Sequence, residues 1–262
     1  MTEIIETHAH YDDERFDTDR DELLGRILPE AGIRYVVNIA ADMDSVKTTN
    51  ELTLKYDYVY GALGVHPETV DALTEEDIRI IKEIASSNKK IRAIGEAGFD
   101  LQEGYPEKEL QEKWFRRQAG LAKELDLPIV VHSREAASDT YRVLKEEYDS
   151  CTDRRNGIVH CFSYSPEEAE KYIKLGFFIG VGGVVTFKNG RKLKDVVDRI
   201  PLQKIVLETD SPYLSPVPFR GERNSSVNLR YIAEEISLIK GVSFEEVCRV
   251  TSENARLLYG IG

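Results

Sequence analysis

The stretch "IIETHAHYDDE", Ile4 to Glu14, decides the fold. An apolar run opens it, as a buried strand does, and the residues after that run form the turn into the next element. A doubly wound nucleotide-binding sheet needs a glycine-rich turn such as GxGxxG at this place, so that backbone can approach a pyrophosphate. Here the place is taken by "THAHYDDE", which holds no glycine. It holds two imidazoles instead, His8 and His10, which project to the same side of an extended chain. A (β/α)8 barrel accommodates that turn, because its chemistry sits at the C-terminal ends of its strands.

Similar short apolar runs recur along the chain. After "EIIETHA" come "YVVNIAA" (35–41), "YVYGALGVH" (58–66), "IRAIGEAG" (91–98), "PIVVHS" (128–133), "GIVHCF" (157–162), "FFIGVGG" (177–183) and "KIVLETD" (204–210). They are continuous rather than alternating, as parallel strands covered on both faces should be. Amphipathic stretches separate them. In "EKELQEKWFRRQAGLAKEL", Leu110, Trp114, Ala119, Leu121 and Leu125 keep to roughly one helical face. Thr74 before "EEDIRII" and Ser165-Pro166 before "EEAEKYIKLG" read as helix caps, the latter helix ending at Gly176. The count predicts an α/β (β/α)8 TIM barrel over 1–262 as a single domain, with two extra helices at its C-terminal end. "SVNLRYIAEEISLIKG" and "SFEEVCRVTSENARLLYGI" supply those helices.

The 262-residue chain is 41% hydrophobic and 31% charged, which suits one globular unit with a sizeable core. It lacks the ~18 consecutive apolar residues of a membrane span, and Glu3 and Glu6 inside the first apolar run speak against a secretory segment. Cys151, Cys161 and Cys248 are widely spaced and odd in number, so a reducing cytoplasm is expected and the thiols read as ordinary ones. The net charge of -12 speaks against wrapping a long duplex. It leaves room for a nucleic-acid enzyme whose carboxylate-rich pocket is loaded with divalent cations.

All five histidines fall at expected strand ends: His8 and His10 on the first, His66 on the third, His132 on the fifth and His160 on the sixth. Glu96 ends the fourth and Asp210 the eighth. A lone histidine at such a place is commonly just a hydrogen-bonded one, and His66 taken singly reads either way. The HxH pair reads as ligands, because two imidazoles pointing together repel once protonated. Glu96 and Asp210 follow strongly apolar runs, where a carboxylate is costly unless paired or metal-bound. Four or more imidazoles and two carboxylates exceed what one tetrahedral ion needs. Two divalent ions ~3.5–4 Å apart would use them all, with Zn²⁺, Mg²⁺ and Mn²⁺ all compatible.

The motifs resemble those of the TatD-type metal-dependent deoxyribonucleases of the amidohydrolase-like superfamily. "ETHAHYD" resembles DTHxHLD, "GVHPE" GVHPH, "GEAGFD" GEIGLD, "PIVVHSREA" PVxIHSRDA, "GIVHCFS" GVLHCFSG, "LETDSPYLSP" LETDAPYLAP and "RGERN" RGKRN; "TSENARLLYGI" also fits. The resemblance implies one metal on His8, His10 and Asp210, with Glu96 bridging to a second on His132 and His160. It further implies that His66 and Arg134 face the substrate, with Arg220 and Arg223 on the loop after the eighth strand. The implied activity is hydrolysis of DNA from 3′ ends, single-stranded DNA or 3′ termini being the expected partner, with no membrane association. Three departures stand out. Glu6 replaces the usual Asp, Glu68 the second His of GVHPH, and Glu222 the Lys of RGKRN.

In that reading Glu96, Asp210 and His66 are the catalytic groups. Tyr213 and Phe187 could stack on a terminal base or simply pack, and the glycines of "GVGGVV" read as allowing close backbone approach. The nearest rival keeps the metals and changes the bond, giving an amidase, deaminase or lactonase. A metal-stabilised scaffold without turnover would need some ligands missing, and the set is intact.

Overall fold

The computed structural model describes residues 2–148 and 155–262; Cys151 lies outside them. Eight strands run in chain order: β1 (Ile4–Ala9), β2 (Ile33–Ile39), β3 (Val59–Leu63), β4 (Ile91–Asp100), β5 (Ile129–Arg134), β6 (Gly157–Val159), β7 (Phe177–Val181) and β8 (Ile205–Leu207). Each pairs in parallel with its successor. The Asp210 N–H donates to the His8 carbonyl (2.9 Å) and the His10 N–H to that of Ser211 (2.7 Å), which brings the chain beyond β8 back to β1. A (β/α)8 barrel results.

Two apolar clusters follow from that closure. Ile5, Val37, Ile39, Ala62, Ala93, Val130, Ile158, Phe178 and Val206 come from all eight strands yet form one cluster, so they fill the barrel interior. The larger cluster joins the outer strand faces to the surrounding helices. The two C-terminal helices, Leu229–Lys240 and Phe244–Tyr259, are as expected. Ala255, Leu258 and Tyr259 of the last one join the interior cluster. Asn254 Nδ2 holds this helix to the carbonyls of Leu202 and Ile205, at the start of β8, so it closes the N-terminal end of the barrel. The C-terminal end is left open for chemistry.

Local signals hold at the caps. Thr74 and Asp77 form a reciprocal capping box, and Ser165 caps a helix opened by Pro166. The apolar face expected of the Lys108–Glu124 helix packs on the core, and two glutamines join it there. Trp114, Ala119 and Leu121 are buried, but Leu110 and Leu125 are only half-buried, while Gln111 and Gln118 are fully covered. Gln118 exchanges hydrogen bonds with both backbone groups of Val65 (2.8 and 3.0 Å), and Gln111 does the same with Asp100 (2.9 and 2.8 Å). Strand ends leave donors and acceptors unpaired, and a carboxamide offers one of each. Apolar periodicity does not register such residues. They fasten the segments that carry His66 and Asp100.

Candidate metal centre

β4 carries the central residue. Its backbone lies so close to β5 that a Cβ on Gly98 would collide with the His132 carbonyl, and Gly98 adopts φ +153°. Glu96 thereby reaches the middle of the barrel mouth, 2% exposed. Its two oxygens face different groups. Oε2 lies 3.2 Å from His8 Nε2 and 4.0 Å from His10 Nε2. Oε1 lies 2.7 Å from His132 Nδ1, 2.5 Å from His160 Nε2 and 3.7 Å from His66 Nε2.

The first group is completed by Asp210 Oδ1, 3.3 Å from His10 Nε2 and 3.7 Å from His8 Nε2, while the two imidazole nitrogens stand 3.2 Å apart. Ligands ~2.0–2.1 Å from one tetrahedral ion are separated by about 3.4 Å, so these donors suit a single divalent cation. His132 Nδ1 and His160 Nε2, 3.1 Å apart, form the second group with Glu96 Oε1. Outer partners fix two of the rings. His10 Nδ1 donates to the Ile39 carbonyl (2.8 Å), leaving its Nε2 lone pair inward, and His132 Nε2 faces Asp100 Oδ2 (3.1 Å), leaving Nδ1 inward. Such partners set the tautomer of metal-binding histidines.

The electrostatics agree. Burial disfavours a charged Glu96, but the imidazoles of His160 and His8 around it hold its carboxyl well below the usual range. Burial also opposes charge on His10 and His132. Asp210 nevertheless raises His10 to about 10, and Asp100 with Glu96 raises His132 to about 9. Buried carboxylates here gather positive charge, and no lysine or arginine among the described residues pairs with Glu96 or Asp210. His8 goes the other way, lowered to about 4 by burial and by the neighbouring His160.

The site opens into a cavity of about 860 Å³. His66 and Arg134 line it, as does Tyr213, which is 46% exposed with Arg15 stacked on its ring. His66 Nδ1 accepts the Glu68 N–H (3.2 Å), so a neutral His66 carries its proton on Nε2, toward Glu96. Burial pushes His66 down to about 3, which keeps it neutral.

Two expected contacts do not reach this cavity. Arg223 is held by Asp19 (2.5 Å) and the Arg15 carbonyl (2.6 Å), and lies across Phe16. Arg220 stacks on Phe187, which is itself buried and packs rather than waiting for a base. Neither arginine is among the residues that line the cavity, Arg223 being paired with Asp19 and Arg220 exposed against Phe187. Glu222 is likewise on the outer surface, whereas Glu68 does line the cavity.

Other residues gain a place the motifs alone left blank. Asp100 follows Glu96 by four positions on one strand, an even spacing that puts both on the same face. Glu6 is fully buried and accepts hydrogen bonds from the His8 N–H (3.1 Å) and from Thr209. It therefore orients the backbone that carries the ligands and touches no ring.

Comparisons with known proteins agree with this geometry. The model of the TatD related DNase family matches residues 5–260. An uncharacterised metal-dependent hydrolase of Bacillus subtilis, YabD, is 42% identical over 98% of this chain and 99% of its own length. Its counterpart YcfH of Escherichia coli is 33% identical over 98% and 96%. The crystal structure of the Escherichia coli TatD homologue YjjV superposes with a TM-score of 0.92 over 99% of this chain and 98% of that one, at 29% identity.

Proposed function

The chain belongs to the TatD-related DNase family of metal-dependent hydrolases, and on that premise we propose that it is a two-metal phosphodiesterase removing nucleotides from the 3′ end of single-stranded DNA. One observation carries the proposal. The two oxygens of Glu96 face separate donor groups, His8–His10–Asp210 and His132–His160, so a single carboxylate can serve a pair of cations. His8, His10 and Asp210, with Glu96, His132 and His160, would hold divalent ions (Mg²⁺, Mn²⁺ or Zn²⁺), which would supply Lewis acidity to water and phosphate.

The chain's own residues account for the remaining steps. Asp210, held ionised by His10 and His8 against the cost of burial, can accept the proton of the attacking water. His66 presents Nε2–H toward the same place and can give a hydrogen bond to the departing oxygen, which takes its proton from solvent. Arg134, exposed on the cavity rim at the end of β5, offers a planar two-pronged donor to a phosphate. A volume of about 860 Å³ takes a nucleotide and part of the next, not a duplex, which favours chain ends. Tyr213 stands at the lip for a terminal base.

A second reading has its own support. Asp12, Asp13, Glu14, Asp42, Asp44 and Glu68 line the cavity against Arg134 alone among the described residues, and that balance favours a substrate less anionic than DNA. An amide, lactone or aminated ring hydrolysed at the same metals fits it. One panel decides between the readings: the metal-loaded protein against 3′-labelled single-stranded DNA, simple phosphodiesters, amides, lactones and nucleobases. Stepwise release of nucleotides supports the nuclease, while turnover confined to the carbonyl or amine substrates overturns it.

A further inference from the structure

Beneath the two donor groups lies a carboxylate that the proposed reaction leaves unused. Glu208 follows β8 by one residue and is fully buried. Its Oε1 accepts the Cys161 N–H at 2.5 Å. Its Oε2 has no hydrogen-bond partner among the described residues, and neither have Nδ1 of His8 and Nδ1 of His160. A carboxylate oxygen of Glu208 and a ring nitrogen from each histidine lie within 4.8 Å of one another. The two rings are stacked in parallel, interplanar angle 10° and centroids 3.9 Å apart, so one acceptor can serve both. The backbone makes room for it. A Cβ on Gly180 would overlap the Glu208 carboxylate, which glycine alone avoids.

The Nε2 atoms of His8 and His160 are already committed, lying 3.2 and 2.5 Å from the two oxygens of Glu96. If both Nε2 lone pairs serve cations, both protons reside on Nδ1, and two buried N–H groups need an acceptor. We infer that Glu208 is a positioning residue that receives the Nδ1–H of both His8 and His160 and so fixes, from one side chain, the tautomer of one ligand in each donor group. The inference rests on the metal-centre reading. It makes Glu208 the counterpart of Glu96: one carboxylate couples the two groups through the cations, the other through the rings behind them. No third cation is needed at this place, since both rings are already ligands through Nε2.

Glu208→Gln tests it without changing shape. If the amide oxygen keeps the Cys161 N–H, the NH2 group faces the rings, Nδ1 becomes the acceptor, and the proton moves to the ligating Nε2. With only five histidines, the imidazole nitrogens of ¹⁵N-histidine-labelled protein can be followed by NMR while Zn²⁺ uptake is measured by calorimetry. The expected result is hydrogen-bonded Nδ1–H signals for His8 and His160 in the Zn²⁺-loaded wild type and their loss in Glu208→Gln. Zn²⁺ affinity should fall ~10–100-fold at both sites, the usual effect of losing an outer partner. Gly180→Ala, which crowds the carboxylate without removing it, should move both readouts in the same direction. Unchanged tautomers with unchanged affinity in folded Glu208→Gln overturn the inference. A wild-type chain that takes up no Zn²⁺ overturns the metal-centre reading and the inference with it, whereas one that binds Zn²⁺ without hydrogen-bonded Nδ1–H signals overturns the inference alone.

Discussion

Glu6 and Thr209 stand 203 residues apart in the chain, yet the Glu6 carboxylate accepts both the Thr209 N–H at 2.9 Å and its hydroxyl at 2.6 Å. With the His8 N–H as a further donor to Glu6, this one side chain ties the strand that bears His8 and leads into His10 to the loop bearing Asp210. Glu6→Ala would leave these donors buried and unpaired, a loss on the order of 3 kcal/mol. Urea unfolding should show that loss, with Glu6→Gln less affected because its amide oxygen still accepts.

Glu96→Gln should lower both metal content and turnover by more than about 100-fold, since it weakens both donor groups at once. Metal analysis of the purified variant, alongside its rate, gives the check. A variant with wild-type metal content and near-normal turnover would disprove the bridging role.

Because no lysine or arginine among the described residues pairs with Glu96 or Asp210, removal of divalent ions should abolish activity, and added Mg²⁺, Mn²⁺ or Zn²⁺ should restore it. Turnover that survives excess chelator and dialysis rules out the metal mechanism. The order of restoration among the three ions would identify the preferred one.

Arg134→Ala should raise KM for single-stranded DNA about 10–100-fold with a smaller effect on kcat, as expected for loss of a charged hydrogen-bond donor to phosphate. A KM that does not move would take Arg134 out of the substrate site.

Away from the site, Glu112 joins its own helix to the helix that carries Arg142 (2.6 and 3.0 Å) and also pairs with Arg116 one turn along its own helix. Hydrogen bonding from Arg142 lowers its carboxyl from 4.5 to about 2. The folded value lies below the unfolded one, so this stabilisation is complete above about pH 4.5 and is lost as the pH falls toward 2. Solvent screening keeps it on the order of 1 kcal/mol. The stability difference between wild type and Glu112→Gln should therefore narrow across that window; a constant difference would contradict the assignment.

The repeated apolar runs, the absent glycine turn and the histidines at run ends were enough to define a (β/α)8 barrel and the six ligand candidates. Barrel topology is periodic, so pattern alone brings strand ends to one mouth. The eight motifs in order were enough for the family. Tertiary contact alone decided what stands behind the ligands: Gln111 and Gln118 fastening strand ends, Asp100 on His132, Glu208 beneath His8 and His160. It also placed Arg223 on Asp19 and Arg220 against Phe187, outside the residues that line the cavity. These residues act by pairing polar groups with partners distant in sequence, and such pairing carries no periodicity. Glu6 joins both kinds of information. The first apolar run located it beside His8, and only closure of β1 against the chain beyond β8 showed what its carboxylate holds.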